Sequence, residues 1–83
     1  MSGDMPKVKV YTTDYCYYCR IAKSLLEKHN IPYEEINISH TPHMRDVLLE
    51  KTGEYTVPQI FVDDEYIGQD DELREWIKMG KLK

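Results

Sequence analysis

The sequence predicts an α/β domain, a four-stranded mixed sheet with three helices in the order βαβ–α–ββ–α. Two alternating apolar and polar runs, Lys7 to Thr12 and Tyr33 to Ile38, flank a stretch whose apolar residues recur at helical spacing. Strand, helix and strand within about thirty residues make a right-handed crossover, so these two strands run parallel. Further on, Ile60-Phe61-Val62 and Tyr66-Ile67 are separated by the acidic turn Asp63-Asp64-Glu65, which makes an antiparallel hairpin.

Each element has a local reason. The first strand is rich in Val and Tyr. Thr13-Asp14-Tyr15 is a short loop. From Cys16 to about Asn30, Ile21, Ala22, Leu25 and Leu26 form one helix face and Lys23, Glu27 and Lys28 the other. His29 sits at the C-terminal end of that helix, and Asn30 and Pro32 stop it. The second strand alternates around Glu34, Glu35 and Asn37. Thr41 then reads as an N-cap, with Pro42 at the first helical position. Met44, Val47 and Leu48 form the buried stripe of this second helix, and Gly53 ends it. Asp70 or Asp71 caps the last helix, with Leu73, Trp76 and Ile77 inward and Gly80 closing it. Tyr11 and Tyr33 read as strand packing.

Residues 7–83 make a single domain, preceded by a flexible tail at residues 1–6. The tail is polar and lacks the apolar run of a signal peptide. A chain of 83 residues sits near the lower size limit for folding without staples. The net charge is −4 and no Lys or Arg run occurs, which argues against binding nucleic acid or an anionic membrane. No apolar stretch approaches the roughly 20 residues of a membrane span. A two-cysteine chain without a secretion signal points to a reducing compartment, the cytoplasm. A monomer is expected.

In that setting the spacing of the two cysteines is informative. Cys16-Tyr17-Tyr18-Cys19 follows a strand and opens a helix. The unpaired N–H groups of a first helical turn stabilise an anion, so the Cys16 thiol can ionise near neutral pH. Cys19 lies one turn on, within reach of the first sulfur. The pair can close and open as a disulfide, which is the pattern of a thiol–disulfide exchange protein. A competing reading joins the pair to His40 and His43 as a zinc site. The long separation weighs against it, and a solvated loop and first helical turn account for both histidines. No metal or bound cofactor is expected.

This order, with C-x-x-C at the start of the first helix, resembles the thioredoxin superfamily in its glutaredoxin form. Two further segments carry the resemblance. Thr56-Val57-Pro58-Gln59-Ile60-Phe61-Val62 is similar to the family's Thr-Val-Pro segment, whose proline is cis. Ile67-Gly68-Gln69-Asp70-Asp71 is similar to its Gly-Gly followed by an acidic pair. The likeness runs from about Val8 to Leu82. It implies a thioredoxin-like fold, in which the backbone of Val57 lies beside the sulfurs and pairs with an extended, peptide-like substrate. It also implies catalytic roles for Cys16 and Cys19, and a substrate or glutathione site made by Tyr18, Thr56, Val57, Pro58, Gly68, Asp70 and Asp71. The helix N-terminus at Asp70 and Asp71 offers N–H groups to a carboxylate.

The departures from the family pattern bear on substrate. Tyr17 stands where the family commonly has proline. Thr13 replaces a common lysine, Glu54 a common arginine, lysine or glutamine, and Gln69 the second glycine. A substrate carboxylate facing Glu54 meets repulsion, so glutathione binding is expected to be weaker than is usual for the family. Arg20 and Lys23 are the compensating cations nearby, and Gln59 is a neutral donor.

The expected function is therefore reduction of protein disulfides or glutathione mixed disulfides by a dithiol mechanism. Cys16 is the nucleophile and Cys19 resolves the mixed disulfide. Glutathione is the co-substrate and disulfide-containing client proteins are the partners. Two alternatives stay open at this point. One is a redoxin recharged by a thioredoxin-reductase-type flavoenzyme and serving ribonucleotide reductase. The other is a carrier of a [2Fe–2S] cluster bridged between two protomers.

Overall fold

Alternation along the first strand decides the layering. In the computed structural model, which describes residues 6–82, β1 (Val8–Thr12) buries Val8, Val10 and Thr12 on one face. Tyr11, on the other face, is half-buried against a second layer. Of the tail expected at residues 1–6, residues 1–5 lie outside the described residues. The other elements are α1 (Tyr17–Lys28), β2 (Tyr33–Asn37), α2 (His43–Thr52), β3 (Gln59–Val62), β4 (Glu65–Gly68) and α3 (Asp70–Lys78). The sheet runs β2-β1-β3-β4. The β1–β2 pair is parallel, and the β1–β3 and β3–β4 pairs are antiparallel.

The two faces carry two cores. Val8, Val10, Ile60 and Val62 pack with Ala22 and Leu26 of α1, Leu73 of α3, and Ile31 and Leu82. On the opposite face Phe61 packs with Ile38 and with Leu48 of α2, flanked by Tyr11 and Tyr66. The Tyr11 ring meets Phe61 edge-on, with centroids 5.4 Å apart. All four residues of β3 are buried, because both faces of this strand are covered by helices. No helix among the described residues is long and apolar enough to cross a membrane.

Several boundaries differ from the sequence reading. The hairpin turn is Asp63-Asp64 alone, both with positive φ (51° and 69°), and Glu65 already belongs to β4. Two such residues match the twist of the flanking strands. Thr41 does not cap α2. Pro42 holds the N-cap position without a side-chain bond, and the Met44 N–H bonds the Thr41 carbonyl in a tight first turn. Val47 is 39% exposed, so the buried stripe of α2 reduces to Met44 and Leu48. Neither Asp70 nor Asp71 caps α3. Gln69 does, its backbone N–H donating to Glu72 Oε1 at 2.9 Å.

Candidate active site

The site lies where β1 delivers the chain to α1. Cys16 is the N-cap of α1, in extended backbone (φ −142°, ψ 109°). The Cys19 N–H donates to Cys16 Sγ at 3.1 Å. The two cysteines are joined as a disulfide, their Cα atoms 5.2 Å apart. Cys19 is buried at 1% exposure, whereas Cys16 is half-buried and can be approached. Around it stand exposed rings: Tyr15, Tyr17 and Tyr18 are 96%, 69% and 56% exposed. Tyr17 and Tyr18 meet edge-on at 5.3 Å.

The loop before Cys16 is tied to the end of β2. The Asp14 N–H donates to Ser39 Oγ at 2.7 Å, and Asn37 Nδ2 donates to Asp14 Oδ1 at 2.8 Å. His40 Nε2 lies 3.9 Å from Asp14 Oδ2. Among the described residues no three His, Cys, Asp or Glu side chains gather as metal ligands.

Opposite the disulfide, the Val57–Pro58 bond is cis and the Val57 carbonyl oxygen lies 3.7 Å from Cys16 Sγ. Among the described residues no backbone group outside the regular elements pairs with the Val57 N–H, so this edge is open to an added strand. Pro58 is buried and Thr56 is exposed. Gln59 is not the free donor that its sequence position suggests. It is buried, and its Nε2 donates to the carbonyls of Glu54 and Thr56 at 2.8 and 2.9 Å. Its work is to brace the backbone before the cis bond.

The N-terminus of α3 completes this side. Gly68 has φ +127°, and a Cβ there would stand 2.5 Å from Glu72 Cγ, so only glycine lets Glu72 fold back onto Gln69. Gln69 Nε2 donates to Thr56 Oγ1 at 2.6 Å. Glu54, Tyr66, Gly68, Asp70, Asp71 and Glu72 line a shallow depression beside it. Burial, then the charges of Glu54 and Glu72, raise the Tyr66 phenol above its usual range. Asp70 is half-buried. Asp71 is exposed, with Arg74 Nη1 at 3.6 Å.

Of the two cations expected to compensate, Lys23 is committed elsewhere. Its Nζ bonds Glu35 Oε2 at 3.0 Å, and Thr12 Oγ1 donates to the same oxygen at 2.8 Å. The Thr12 hydrogen bond first, then Lys23, hold the Glu35 carboxyl below its usual range. A different cation stands beside the loop that precedes Cys16. Arg45 of α2 lines a second depression with Thr13, Tyr15, Ile38, Pro42 and Tyr55. Its Nη1 donates to the Tyr55 carbonyl at 2.9 Å, and its guanidinium lies 5.4 Å from the Tyr55 ring centroid. Sequence reasoning missed both residues, because the fold alone brings α2 beside Thr13. One signal was present: Arg45 puts a cation in the first turn of α2, against the helix dipole.

The comparisons with known proteins point to one family. The glutaredoxin family model matches residues 8–67. The chain is similar to a glutaredoxin of Pseudomonas aeruginosa, 40% identical over 78 residues that cover 94% of this chain and 93% of that one. It is also similar to glutaredoxin 3 of Escherichia coli, 38% identical over 69 residues and 83% of each chain. Among solved structures, a buckwheat glutaredoxin–glutathione complex superposes with a TM-score of 0.83 at 30% identity, covering 93% of this chain and 73% of that one. A glutaredoxin of Brucella melitensis superposes with a TM-score of 0.80 at 39% identity, covering 96% and 87%.

Proposed function

The chain belongs to the glutaredoxin family and is a thiol–disulfide oxidoreductase; on that premise we propose a dithiol mechanism carried by Cys16 and Cys19, with glutathione as co-substrate. The Cys16 thiolate attacks a substrate disulfide. A bond forms between Cys16 and one substrate sulfur, the substrate S–S bond breaks, and the other sulfur leaves as a thiolate. The Cys19 thiol gives its proton to solvent and attacks the Cys16 sulfur. The second substrate thiol is released, and two electrons have passed from the dithiol to the substrate. Two glutathiones then return the Cys16–Cys19 disulfide to the dithiol, leaving oxidised glutathione.

The observation that carries this reading is the Cys19 N–H aimed at Cys16 Sγ at 3.1 Å. A donor already in place stabilises negative charge on that sulfur and not on the buried one. The open edge of Val57 supports strand-like pairing with the peptide part of the substrate, with Tyr18, Thr56 and Pro58 shaping the groove. Gly68, Asp70 and Asp71 form its far end at the start of α3. Arg45 takes the place of the cation that Thr13 and Glu54 do not supply, and the free N–H groups of its fork suit a glutathione carboxylate. That a buckwheat relative was crystallised with glutathione supports glutathione as the ligand of this groove. The exposed rings around Cys16 support disulfide-containing client proteins as partners.

The test is a Cys19→Ser variant exposed to oxidised glutathione, with the product mapped by mass spectrometry. One glutathione bound at Cys16 supports the reading. No adduct, or an adduct elsewhere, removes it.

A further inference from the structure

Gln69 ties the start of α3 to the loop that faces the reactive sulfur. Its side chain leaves the N-cap of α3 and crosses to the loop before the cis bond. There Nε2 donates to Thr56 Oγ1 at 2.6 Å, with the Thr56 carbonyl 3.4 Å away. Thr56 is the neighbour of Val57, whose carbonyl faces Cys16 Sγ. Gln69 also lines the depression with Gly68, Asp70 and Asp71. The amide therefore straps the start of α3 to the residue next to Val57.

The strap is held at both ends. The Gln69 backbone N–H is fixed by Glu72, at 2.9 Å. The Thr56 carbonyl is also held by Gln59 Nε2 at 2.9 Å, so Thr56 cannot swing away with the Gln69 side chain. A ligand that pairs with the Val57 edge and continues to α3 has to part the Gln69–Thr56 bond. A small disulfide that ends at Cys16 does not.

We propose that Gln69 is a specificity-determining residue, an internal competitor that weakens binding of extended disulfides such as oxidised glutathione relative to small neutral ones. This rests on the proposed groove along Val57. Binding an extended ligand loses one neutral hydrogen bond and regains it only when the ligand satisfies Thr56 in its place. One such bond changes affinity by about threefold to tenfold.

The test uses the pre-reduced full chain in rapid-mixing kinetics, with oxidised glutathione or bis(2-hydroxyethyl) disulfide as oxidant. Gln69→Ala is expected to lower the half-saturation concentration for oxidised glutathione about threefold to tenfold, while the limiting rate changes little. The ratio of the two oxidants' rates shifts toward glutathione. Gln69→Gly, which keeps the backbone free to adopt the same cap, is expected to shift it in the same direction. Unchanged half-saturation in both variants overturns the proposal. A rise also overturns it, and makes the amide a contact of the substrate. Failure of the wild-type protein to reduce oxidised glutathione at all, with the small disulfide still reduced, counts against the glutathione reading itself.

Discussion

The backbone N–H of Cys19 points at the sulfur of Cys16 from 3.1 Å, while the sulfur of Cys19 is packed out of reach of solvent. The asymmetry predicts which thiol reacts. In the reduced protein, a limiting amount of iodoacetamide at neutral pH should alkylate Cys16 before Cys19, and peptide mapping reads the order. Equal labelling would mean that neither the donor nor the burial separates the two thiols. Cys16→Ser should abolish turnover, since the thiol that remains, Cys19, is buried.

Arg45 offers a second test. Its guanidinium is oriented by the Tyr55 carbonyl and ring, and no carboxylate among the described residues pairs with it. Arg45→Gln should raise the KM for a glutathione mixed disulfide about tenfold, as expected for loss of a charge-assisted bond, with kcat changed far less. An equal fall in kcat would place the effect in the chemistry instead of in binding.

The Thr12–Glu35–Lys23 cluster predicts a pH dependence. Glu35 is depressed by the Thr12 hydroxyl and then by Lys23. A carboxyl whose folded pKa is lowered stabilises the fold above its unfolded pKa and loses that contribution as pH falls toward the folded value. The urea midpoints of wild type and Glu35→Gln should differ at about pH 6 and converge toward about pH 3. A constant gap over that range would contradict the assignment.

Tyr33 predicts the opposite limb. Burial, then the hydrogen bond to Glu27 Oε2 at 2.6 Å, push its phenol up to about 12. A raised folded pKa gives stability that is complete below the unfolded value and is lost as pH rises through the folded one. Absorbance titration of the tyrosines should show late-ionising phenol above about pH 11, and Tyr33→Phe should remove part of it.

The core makes a plainer prediction. Leu26 is fully buried between α1 and the sheet. Leu26→Ala should cost about 2–5 kcal/mol, a large share of what a domain of this size has. Urea denaturation followed by circular dichroism would measure it.

What was legible in the sequence follows from which signals are local. The period-2 runs of β1 and β2, the helical spacing of Ile21, Ala22, Leu25 and Leu26, and the Asp63-Asp64 turn are local patterns, and the fold obeys them. The cysteine pair and the Thr56-Val57-Pro58 segment are short motifs whose meeting required only the strand order. The misses were tertiary. Val47 sits at helical spacing beside Met44 and Leu48 yet faces out, because the α2 core is only as wide as Ile38, Leu48 and Phe61. The Gln59 amide braces the carbonyls of Glu54 and Thr56, which lie five and three residues before it in a loop whose path is not local. Lys23 is held by Glu35, which the fold brings over from the neighbouring strand. Arg45 of α2 shares a depression with Thr13, a separation in sequence that no spacing rule covers.

The measurement that bears most directly on the central claim is NADPH consumption in a mixture of this protein, glutathione, glutathione reductase and a disulfide substrate. Turnover should rise with protein concentration and disappear with Cys16→Ser. No turnover with glutathione, alongside efficient turnover with a thioredoxin reductase, would contradict glutathione as the reductant of the Cys16–Cys19 pair.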